Sequence, residues 1–430
     1  MYANRRNFAP RIGIAKNLPN RGLVLHASYG IFFTPVDQNT WCNQRHNVPY
    51  VFPETQQADN FTPPAALFAN GLNFGTPVLG TGTLPATTVS FTAFDPHAPA
   101  QYVQQWNGSV QKSLGKDTSV EIGYLGSRGF HLQRAHLINN TLPGPGPLGP
   151  RRPFKTLTFV PGTKLPPGST TAVIQSTTFP VSTINLLENT AQSWYDAGYV
   201  NVRRRYSHGL SFLANYTYAK NLTNAPDFRS AMDEASIPQD NRNLDAEKGP
   251  GCDVRHRFAL SSVYDIPAVR RTEWARLATQ NWHLSTIYQV QSGMPFTVSV
   301  FGDTANSGTV LGENPIRANV TGQPVFGPGT HTSAEWFNPA AFATPPAFTY
   351  GDAGRNSVYG PPQQSLDFAV ARSFNLTERA TFQFRAEAFN ALNKTNLGTP
   401  NRFVNTPQFG TITMAMTPGR ELQFSARLSF

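Results

Sequence analysis

The chain of 430 residues lacks a long apolar run. No segment approaches the roughly 18 to 20 consecutive apolar residues that a membrane helix needs, so the sequence argues against helical membrane spans. Charged residues are also few, at 14% of the chain, which is below the roughly 25% of an ordinary globular domain. A mean hydropathy of -0.34 remains compatible with a membrane barrel, because the lumen side and the loops of such a barrel are polar.

Cysteine and lysine are scarce as well. Cys42 and Cys252 are the only cysteines, and both fall in predicted long loops, where they either form a disulfide or stay separate. No metal or redox motif accompanies them. The formal net charge of +10 would suit nucleic acid, but the arginines are scattered and Arg203–Arg205 is their only triple. That triple is interpreted as a solvated strand end or as a contact with lipid phosphates at a membrane rim.

Aromatic residues and turn formers are abundant instead. The chain contains 31 Phe and 14 Tyr, together with 34 Gly and 36 Pro, so strands and turns are expected throughout. The C-terminal segment has the clearest pattern, because polar residues alternate there with one apolar set: Leu422, Phe424, Ala426, Leu428 and Phe430. A period of two places that set on one face of a strand. One apolar and one polar face suit a wall between bilayer and water, and the apolar set is predicted to form the strand that inserts into the membrane.

The same alternation recurs along the whole chain. In Gly209–Lys220 the apolar and aromatic residues Leu210, Phe212, Ala214, Tyr216 and Tyr218 share one face, and tyrosines near a strand end fit an aromatic girdle. The predicted strands are Phe8–Lys16, Gly22–Phe33, Gln101–Ser113, Thr118–Gly126, Ser193–Tyr206, Gly209–Lys220, Val254–Asp265, Gln280–Ser292, Ser365–Phe374, Arg379–Asn390, Phe409–Met416 and Arg420–Phe430.

Short and long connections alternate between the first eight of these strands, as in outer-membrane barrels with short periplasmic turns and long extracellular loops. If Phe430 lies at the periplasmic end, the strand directions counted from the two ends of the chain disagree. Gln280–Ser292 and Ser365–Phe374 would then run in the same direction. One further strand is therefore expected within Gly293–Gln364, which gives about 13 strands. The same strand directions also predict that Asn390–Asn393 forms a periplasmic turn. The fold class is an all-β, antiparallel transmembrane β-barrel, which is partial because an odd count does not suit a complete bacterial barrel.

Several stretches, taken in order, resemble one family. They include NFAPRIGIA, YVQQWNGSVQKSL, RRRYSHGLSFLANYTYAKNL, DVRHRFALSSVYDIP, WFNPAAFA, RAEAFNALNKTNLGTP and GRELQFSARLSF. Together they are similar to the C-terminal barrel of TonB-dependent outer-membrane transporters, and most of all to the Oar-like branch. The resemblance covers nearly the whole of residues 1–430. It implies a 22-stranded barrel with an N-terminal plug, uptake of a large scarce nutrient and energy supplied through TonB.

The chain departs from that pattern at its start. Its first residues have no apolar core of a signal peptide, and no plug, TonB-contact segment or regulatory-like domain is found. The chain is therefore expected to be the C-terminal barrel portion of a larger protein. The expected partners are outer-membrane lipid, lipopolysaccharide and the barrel-assembly machinery, with TonB acting only through the missing N-terminal parts. No nucleic acid is expected as a partner.

No catalytic, cofactor or metal site is predicted. His131 and His136 are five residues apart, where ligand spacing would be accidental. Asp253, Arg255 and His256 could act as acids or bases, but a structural role at a strand start is favoured. Gly126–Gly129 (GSRG) resembles a phosphate loop only faintly. Loop aromatics could contact a ligand or glycan, or could pack the loops together; they are Trp41, Phe52, Phe61, Phe68, Trp336, Phe337 and Phe342.

Three functions remain open at this stage. The first is the barrel portion of a TonB-dependent transporter in the outer membrane. The second is an outer-membrane adhesin or surface-binding barrel without transport, since the same strands and loops would serve it. The third is a soluble, secreted β-rich domain that binds glycans through its loop aromatics. An enzyme is not expected, and the sequence does not name a substrate.

Overall fold

The computed structural model describes residues 7–34, 47, 88–159, 177–225, 237–269, 271–309 and 315–430. Most of this part of the chain is β-structure. Its strands, in chain order, are β1 (Arg11–Leu18), β2 (Leu23–Phe33), β3 (Val89–Phe94), β4 (Tyr102–Leu114), β5 (Thr118–Leu137), β6 (Thr156–Phe159), β7 (Thr177–Ser207), β8 (Leu210–Thr223), β9 (Gly249–Pro250), β10 (His256–Ile266), β11 (Trp282–Gln291), β12 (Pro295–Phe296), β13 (Asn319–Val320), β14 (Phe342–Ala343), β15 (Val358–Tyr359), β16 (Gln363–Asn375), β17 (Thr381–Phe389) and β18 (Glu421–Ser429).

Helices are short. Within the described residues they comprise α1 (Leu148–Arg151), α2 (Glu273–Thr279) and three single 3-10 turns, Pro19–Arg21, Leu244–Glu247 and Pro339–Ala341. The hydroxyl of Thr272 caps α2 by accepting a hydrogen bond from the backbone N–H of Ala275, as N-cap threonines do. Among the residues that are described, no helix has the length and apolarity to cross a membrane.

One large sheet of 14 strands dominates the fold. Its main path runs β1-β2-β4-β5-β7-β8-β10-β11-β16-β17-β18, and every neighbouring pair along this path is antiparallel. The remaining three strands, β3, β6 and β9, attach beside β7 or β8. Within the described residues the sheet is open, with β1 and β18 as its two edges. The architecture is therefore the predicted all-β antiparallel sheet, and its strand number is close to the predicted 13.

All long connections leave the same end of the sheet. Successive strands of the main path are antiparallel neighbours, so successive connections fall at opposite ends. The short connections are 19–22, 115–117, 208–209, 267–281 and 376–380, whereas the long ones are 34–101, 138–176, 224–255, 292–362 and 390–420. His208 and Gly209 both have positive φ, 52° and 80°, which makes the tightest connection a type I′ hairpin turn. We call the two ends the short-turn end and the long-loop end.

Two predictions about the last third of the chain are wrong. Phe409–Met416 forms turns and irregular backbone rather than a strand. No strand of the main sheet lies in the described residues of 293–362, where β11 pairs directly with β16. The two errors have one cause. The strand wrongly predicted at Phe409–Met416 reversed the direction assigned to the strands before it, and the strand expected within Gly293–Gln364 was needed only to correct that reversal. As a result Asn390–Asn393 lies at the long-loop end and not at a periplasmic turn.

The strands β5 and β7 are much longer than predicted. β4 pairs with β5 only as far as Phe130, and β8 pairs with β7 only as far as Ser193. Beyond those points, residues 131–137 and 177–192 continue as a separate ribbon, with register shifts around Leu132. β3 and β6 pair with this ribbon. At about 3.3 Å per residue, this β5–β7 arm projects roughly 20 Å or more past the sheet at the long-loop end.

The apolar core lies in the loops and not in the sheet. The main cluster of buried side chains comes from residues 296–358 and Ile412, and a second, smaller cluster holds Val300, Ala305 and Ile316. The β5–β7 arm has its own cluster of Val89, Phe179 and Val181. β18, in contrast, is exposed along its whole length. The sheet is thus a single layer, while the long loops form compact structure above one of its ends.

Candidate functional site

The pairing register separates the sheet into an apolar and a polar face. Between β17 and β18, Ala386 lies opposite Phe424 and Phe382 lies opposite Leu428, whereas Glu387 lies opposite Gln423. The registers of the other pairs continue the same division. On the apolar face it aligns Leu25, Val110, Ile122, Val200, Phe212, Leu260, Leu284, Val370, Phe382 and Leu428. On the polar face it aligns His26, Ser109, Glu121, Asn201, Asn215, Ser261, Ser285, Ser373, Gln383 and Arg427.

The predicted insertion residues lie where the alternation placed them. Leu422, Phe424, Ala426 and Leu428 all belong to the apolar face of β18, opposite apolar residues of β17. The ring of Phe424 stacks on that of Phe384, with centroids 6.3 Å apart. Phe430 follows the last strand residue and is 98% exposed. The placement on one face is confirmed, while the role in membrane insertion stays a prediction.

Side chains on the polar face bond to one another, both between neighbouring strands and along a single strand. Tyr199 donates a hydrogen bond of 2.8 Å to Oε1 of Glu121, and its ring lies over Gly123, where a Cβ would approach Cζ of the ring to 2.5 Å. Arg385 donates to Glu387 at 2.7 Å. These bonds satisfy polar groups that a lipid environment would leave without partners.

Rings and cations mark both edges of the apolar face. Near the long-loop end, the guanidinium of Arg128 lies 5.3 Å from the ring of Trp106, and Nζ of Lys248 lies 4.1 Å from that of Trp194. Near the short-turn end, Arg372 lies 5.2 Å from the ring of Trp282. Amphipathic rings and basic side chains at two levels are typical of the two interfaces of a membrane.

Two motifs noted in the sequence lie among these rings and cations, which we call the girdle of the apolar face. Gly126–Gly129 lies inside β5 and forms no phosphate loop: Gly126 leaves room for the indole of Trp106, and Arg128 pairs with Asp196 at 3.0 Å. In the arginine triple, Arg203 and Arg205 are exposed at the short-turn end, in agreement with a solvated strand end. Arg204 lies opposite Phe212 on the apolar face.

The long loops pack into one body, which we call the loop platform (residues 293–309, 315–362 and 390–419). Trp336, Phe337 and Phe342 are at most 5% exposed at its centre. Phe337 makes edge contacts with Phe342 at 5.8 Å and with Phe409 at 5.1 Å. These three aromatics therefore pack the loops together, which is one of the two interpretations that the sequence offered. Trp41, Phe52, Phe61 and Phe68, like Cys42, lie outside the described residues.

Polar bonds tie the loop platform to residues 237–255. Arg355 donates to the carbonyl oxygens of Thr223 and Glu247, both at 2.8 Å, and Gln239 donates to that of Gly351 at 3.0 Å. A Cβ at Gly351 would lie 1.9 Å from the carbonyl oxygen of Arg317, so only glycine permits this close approach. The loop platform is therefore fixed to the strand ends below it.

Asp253 has the contacts of a structural anchor. Its side chain is fully buried, 2.9 Å from Nε of Arg255, and it accepts hydrogen bonds from the hydroxyl of Tyr359 at 2.6 Å and the N–H of Asn221 at 2.7 Å. Burial, together with the bond to Asp253, raises the pKa of Tyr359, so that hydroxyl remains a donor. His256 points elsewhere, to the hydroxyl of Tyr216 at 2.8 Å.

The two histidines of the β5–β7 arm have separate partners. His131 packs on the ring of Tyr102, and Nδ1 of His136 lies 3.3 Å from Oε1 of Glu188, which is also 3.4 Å from Nε of Arg134. The imidazole of His136, with smaller contributions from Thr190 and Arg134, lowers the pKa of Glu188 to about 2. In the described part of the chain, no three His, Cys, Asp or Glu side chains are grouped so that they could hold a metal ion.

Sequence reasoning missed the rim cations and the arm. Gly126 lies beside the ring of Trp106 because of the register between β4 and β5, and the sequence alone does not specify that register. These features together define a protein that crosses a membrane through a β-sheet with one lipid-facing surface, one polar surface and structured loops at one end.

The chain belongs to the outer membrane beta barrel domain family, whose profile matches residues 1–423. It is accordingly an outer-membrane protein. No curated protein is detectably similar to it in sequence.

Outer-membrane transporters and receptors are among the solved structures that are similar to this chain. The outer membrane transporter YddB from Escherichia coli is similar at a TM-score of 0.47 and 8% identity, over 95% of this chain and 39% of YddB. The siderophore receptor PirA from Acinetobacter baumannii is similar at a TM-score of 0.43 and 10% identity, over 98% of this chain and 41% of PirA. The chain therefore spans about two fifths of the length of these proteins.

Proposed function

We propose that this chain is the C-terminal barrel portion of a TonB-dependent receptor of the Oar-like branch, which takes up a large, scarce nutrient across the outer membrane. The observation that carries the proposal is the combination of a continuous polar face with a loop platform fixed above one end of the sheet. A polar wall suits a water-filled lumen that a plug would occupy. A fixed platform suits recognition of a ligand before it enters.

The plug and the TonB contact belong, in this proposal, to parts of the protein outside residues 1–430. The barrel-assembly machinery would engage β18 through the apolar set that ends at Phe430. Outer-membrane lipid and lipopolysaccharide would contact the apolar face and its girdle, where Arg128 and Lys248 lie beside tryptophan rings. At the other rim, Arg204 would meet lipid phosphates. The proposal gives this chain no catalytic role.

A second function, a surface-binding barrel without transport, is favoured by exposed apolar side chains on the loop platform. Phe301 is 60% exposed, Met414 66% and Met416 62%. Such residues bind protein or glycan surfaces well, since methionine adapts its shape to a partner. The third hypothesis, a soluble secreted domain, is set aside because the chain belongs to an outer-membrane family.

The test uses the full-length protein in its own host. Depletion of nutrients from the medium is compared between the wild type and a deletion strain, with and without a protonophore. Transport predicts a nutrient whose depletion needs both the protein and the proton gradient. A surface-binding barrel predicts that attachment or ligand binding depends on the protein but not on the gradient. Recovery of the protein in a soluble fraction would contradict both.

A further inference from the structure

A basic cleft of about 600 Å³ lies where the β5–β7 arm meets the loop that follows β5. It is lined by residues next to β3, by α1 and the segment after it, and by the part of β7 that belongs to the arm. Its volume is within the roughly 300 to 1,000 Å³ that is usual for a small-molecule site. The walls are apolar at Leu148, Pro150, Pro180 and Val181.

The charged residues of the cleft are all cationic. Arg152 and Lys155 contribute to the lining, and no carboxylate is present among the lining residues. Lys155 is exposed, whereas Arg152 is only 7% exposed. The pair combines an exposed ammonium with a guanidinium that the surrounding structure holds in place.

The guanidinium of Arg152 is fixed by backbone oxygens. Its Nη1 donates to the carbonyl oxygen of Asn139 at 3.0 Å and to that of Ser182 at 2.5 Å. Burial lowers the pKa of Arg152, and the more distant Asp303 offsets part of this effect. Carbonyl oxygens accept hydrogen bonds from N–H groups but carry no full negative charge. The positive charge of Arg152 is therefore not neutralised by these contacts, and an anion in the cleft would be stabilised by it.

Two other buried arginines at this end of the molecule are compensated by carboxylates. Arg134 lies 3.4 Å from Glu188, and Arg317 lies 3.7 Å from Glu247. Among the residues with described positions, no carboxylate oxygen comes within the 4.0 Å ion-pair distance of Arg152. An arginine that is buried without such a partner, at the wall of a cleft, is expected where the partner is supplied by a ligand.

We propose that this cleft binds a small organic anion, with its carboxylate or phosphate between Arg152 and Lys155 and its apolar part against Leu148 and Pro180. The occupant is a free, water-soluble molecule and not a membrane lipid, because the arm carries the cleft past the ends of β4 and β8. The inference relies on the orientation of the sheet in the outer membrane and does not require transport.

The test is isothermal titration calorimetry on the purified full-length protein in detergent micelles. The probe is phenyl phosphate, and the control compound is phenol, which has the same ring without the charged group. Phenyl phosphate is expected to bind at least about ten times more tightly than phenol and to weaken as ionic strength rises. Lys155→Gln should weaken phenyl phosphate about 3- to 10-fold, and Arg152→Met should abolish measurable binding.

Two further measurements keep the result interpretable if Arg152→Met loses local structure. Lys155→Glu reverses the charge at an exposed position and should abolish binding without disturbing the fold. Lys394→Gln removes an exposed lysine of the loop platform outside the cleft and should change nothing. The proposal is overturned if phenyl phosphate does not bind at 10 mM (a concentration of about 10 mM detects even weak binding). It is equally overturned if phenol binds as well as phenyl phosphate, or if Lys155→Glu leaves the affinity unchanged.

Discussion

Replacing Phe424 by arginine should prevent stable assembly of the barrel. Phe424 lies next to the middle of β18, on the apolar face, and is 66% exposed there. An arginine on the lipid face costs about 2 to 4 kcal/mol at the bilayer midplane. Loss of the stacked contact with Phe384 adds roughly 1 kcal/mol. The total corresponds to a fall of about two to four orders of magnitude in the ratio of folded to unfolded protein.

The matched control is Gln423→Arg, one residue earlier on the polar face. Gln423 lies opposite Glu387, so the new arginine gains a carboxylate neighbour and avoids lipid. The assay compares the two variants of the full-length protein by urea unfolding in lipid vesicles, and by the amount recovered in the outer membrane. Gln423→Arg should behave like the wild type.

The assignment of the two faces would be wrong if Gln423→Arg were less stable than Phe424→Arg, or if the two variants were equally stable. A deficit for Phe424→Arg that appears in cells but not in vesicles would instead assign the effect to assembly. That outcome would support the proposed role of Leu422, Phe424, Ala426, Leu428 and Phe430 as the segment that directs insertion.

Three other perturbations follow from single contacts. Gly123→Ala should lower the stability of the barrel to urea by about 1 to 3 kcal/mol, because the new Cβ displaces the ring of Tyr199, whereas Gly198→Ala enters open space and should be neutral. Asp253→Asn should increase amide hydrogen exchange in residues 237–255 by an amount equivalent to about 2 kcal/mol, since a buried charge pair loses one partner. For Glu188 the folded-state pKa of about 2 lies below its unfolded value. Its stabilisation of the β5–β7 arm is therefore present above about pH 4.5 and is lost as the pH falls towards 2; hydrogen exchange of the arm against pH measures this loss.

Each of these has an outcome that contradicts it. Equal stability of the two glycine variants would mean that Tyr199 adjusts without cost. Unchanged exchange in Asp253→Asn would mean that Arg355 and Gln239 hold the loops alone. If Glu188→Gln shows the same acid-induced opening of the arm as the wild type, another group is responsible.

The strands of the sheet could be predicted from the sequence because residues close together in the chain determine which face each side chain lies on. Alternation in β8 and β18 assigns each side chain to a face without any long-range information. Which residues then lie opposite each other, such as Ala426 and Phe384, depends on the register. The short turns carry their own signals, such as Gly209. For these parts of the chain, the pattern of a few neighbouring residues determines the structure.

The loop platform could not be predicted because distant residues determine it. Ile412, Met414 and Met416 have the apolar spacing of a strand, yet Ile412 packs, together with Phe409, on the platform cluster around Phe337. The backbone there pairs with other loops, as when the N–H of Trp336 donates to the carbonyl oxygen of Gly410. The cleft at Arg152 has the same origin, since Asn139, Ser182 and Lys155 come together only after β7 has paired with β5.

The bonds that close the loop platform also set an order for assembly. The main sheet can grow by adding each strand to the one before it, and no connection along its main path is much longer than 292–362. In contrast, Arg355 bonds to the carbonyl oxygen of a residue 132 positions away, and Thr141 to one 165 positions away. Contacts over such separations form slowly and late. The rate-limiting event in folding is therefore expected to be the docking of loops on the outer side, after the strands have already paired.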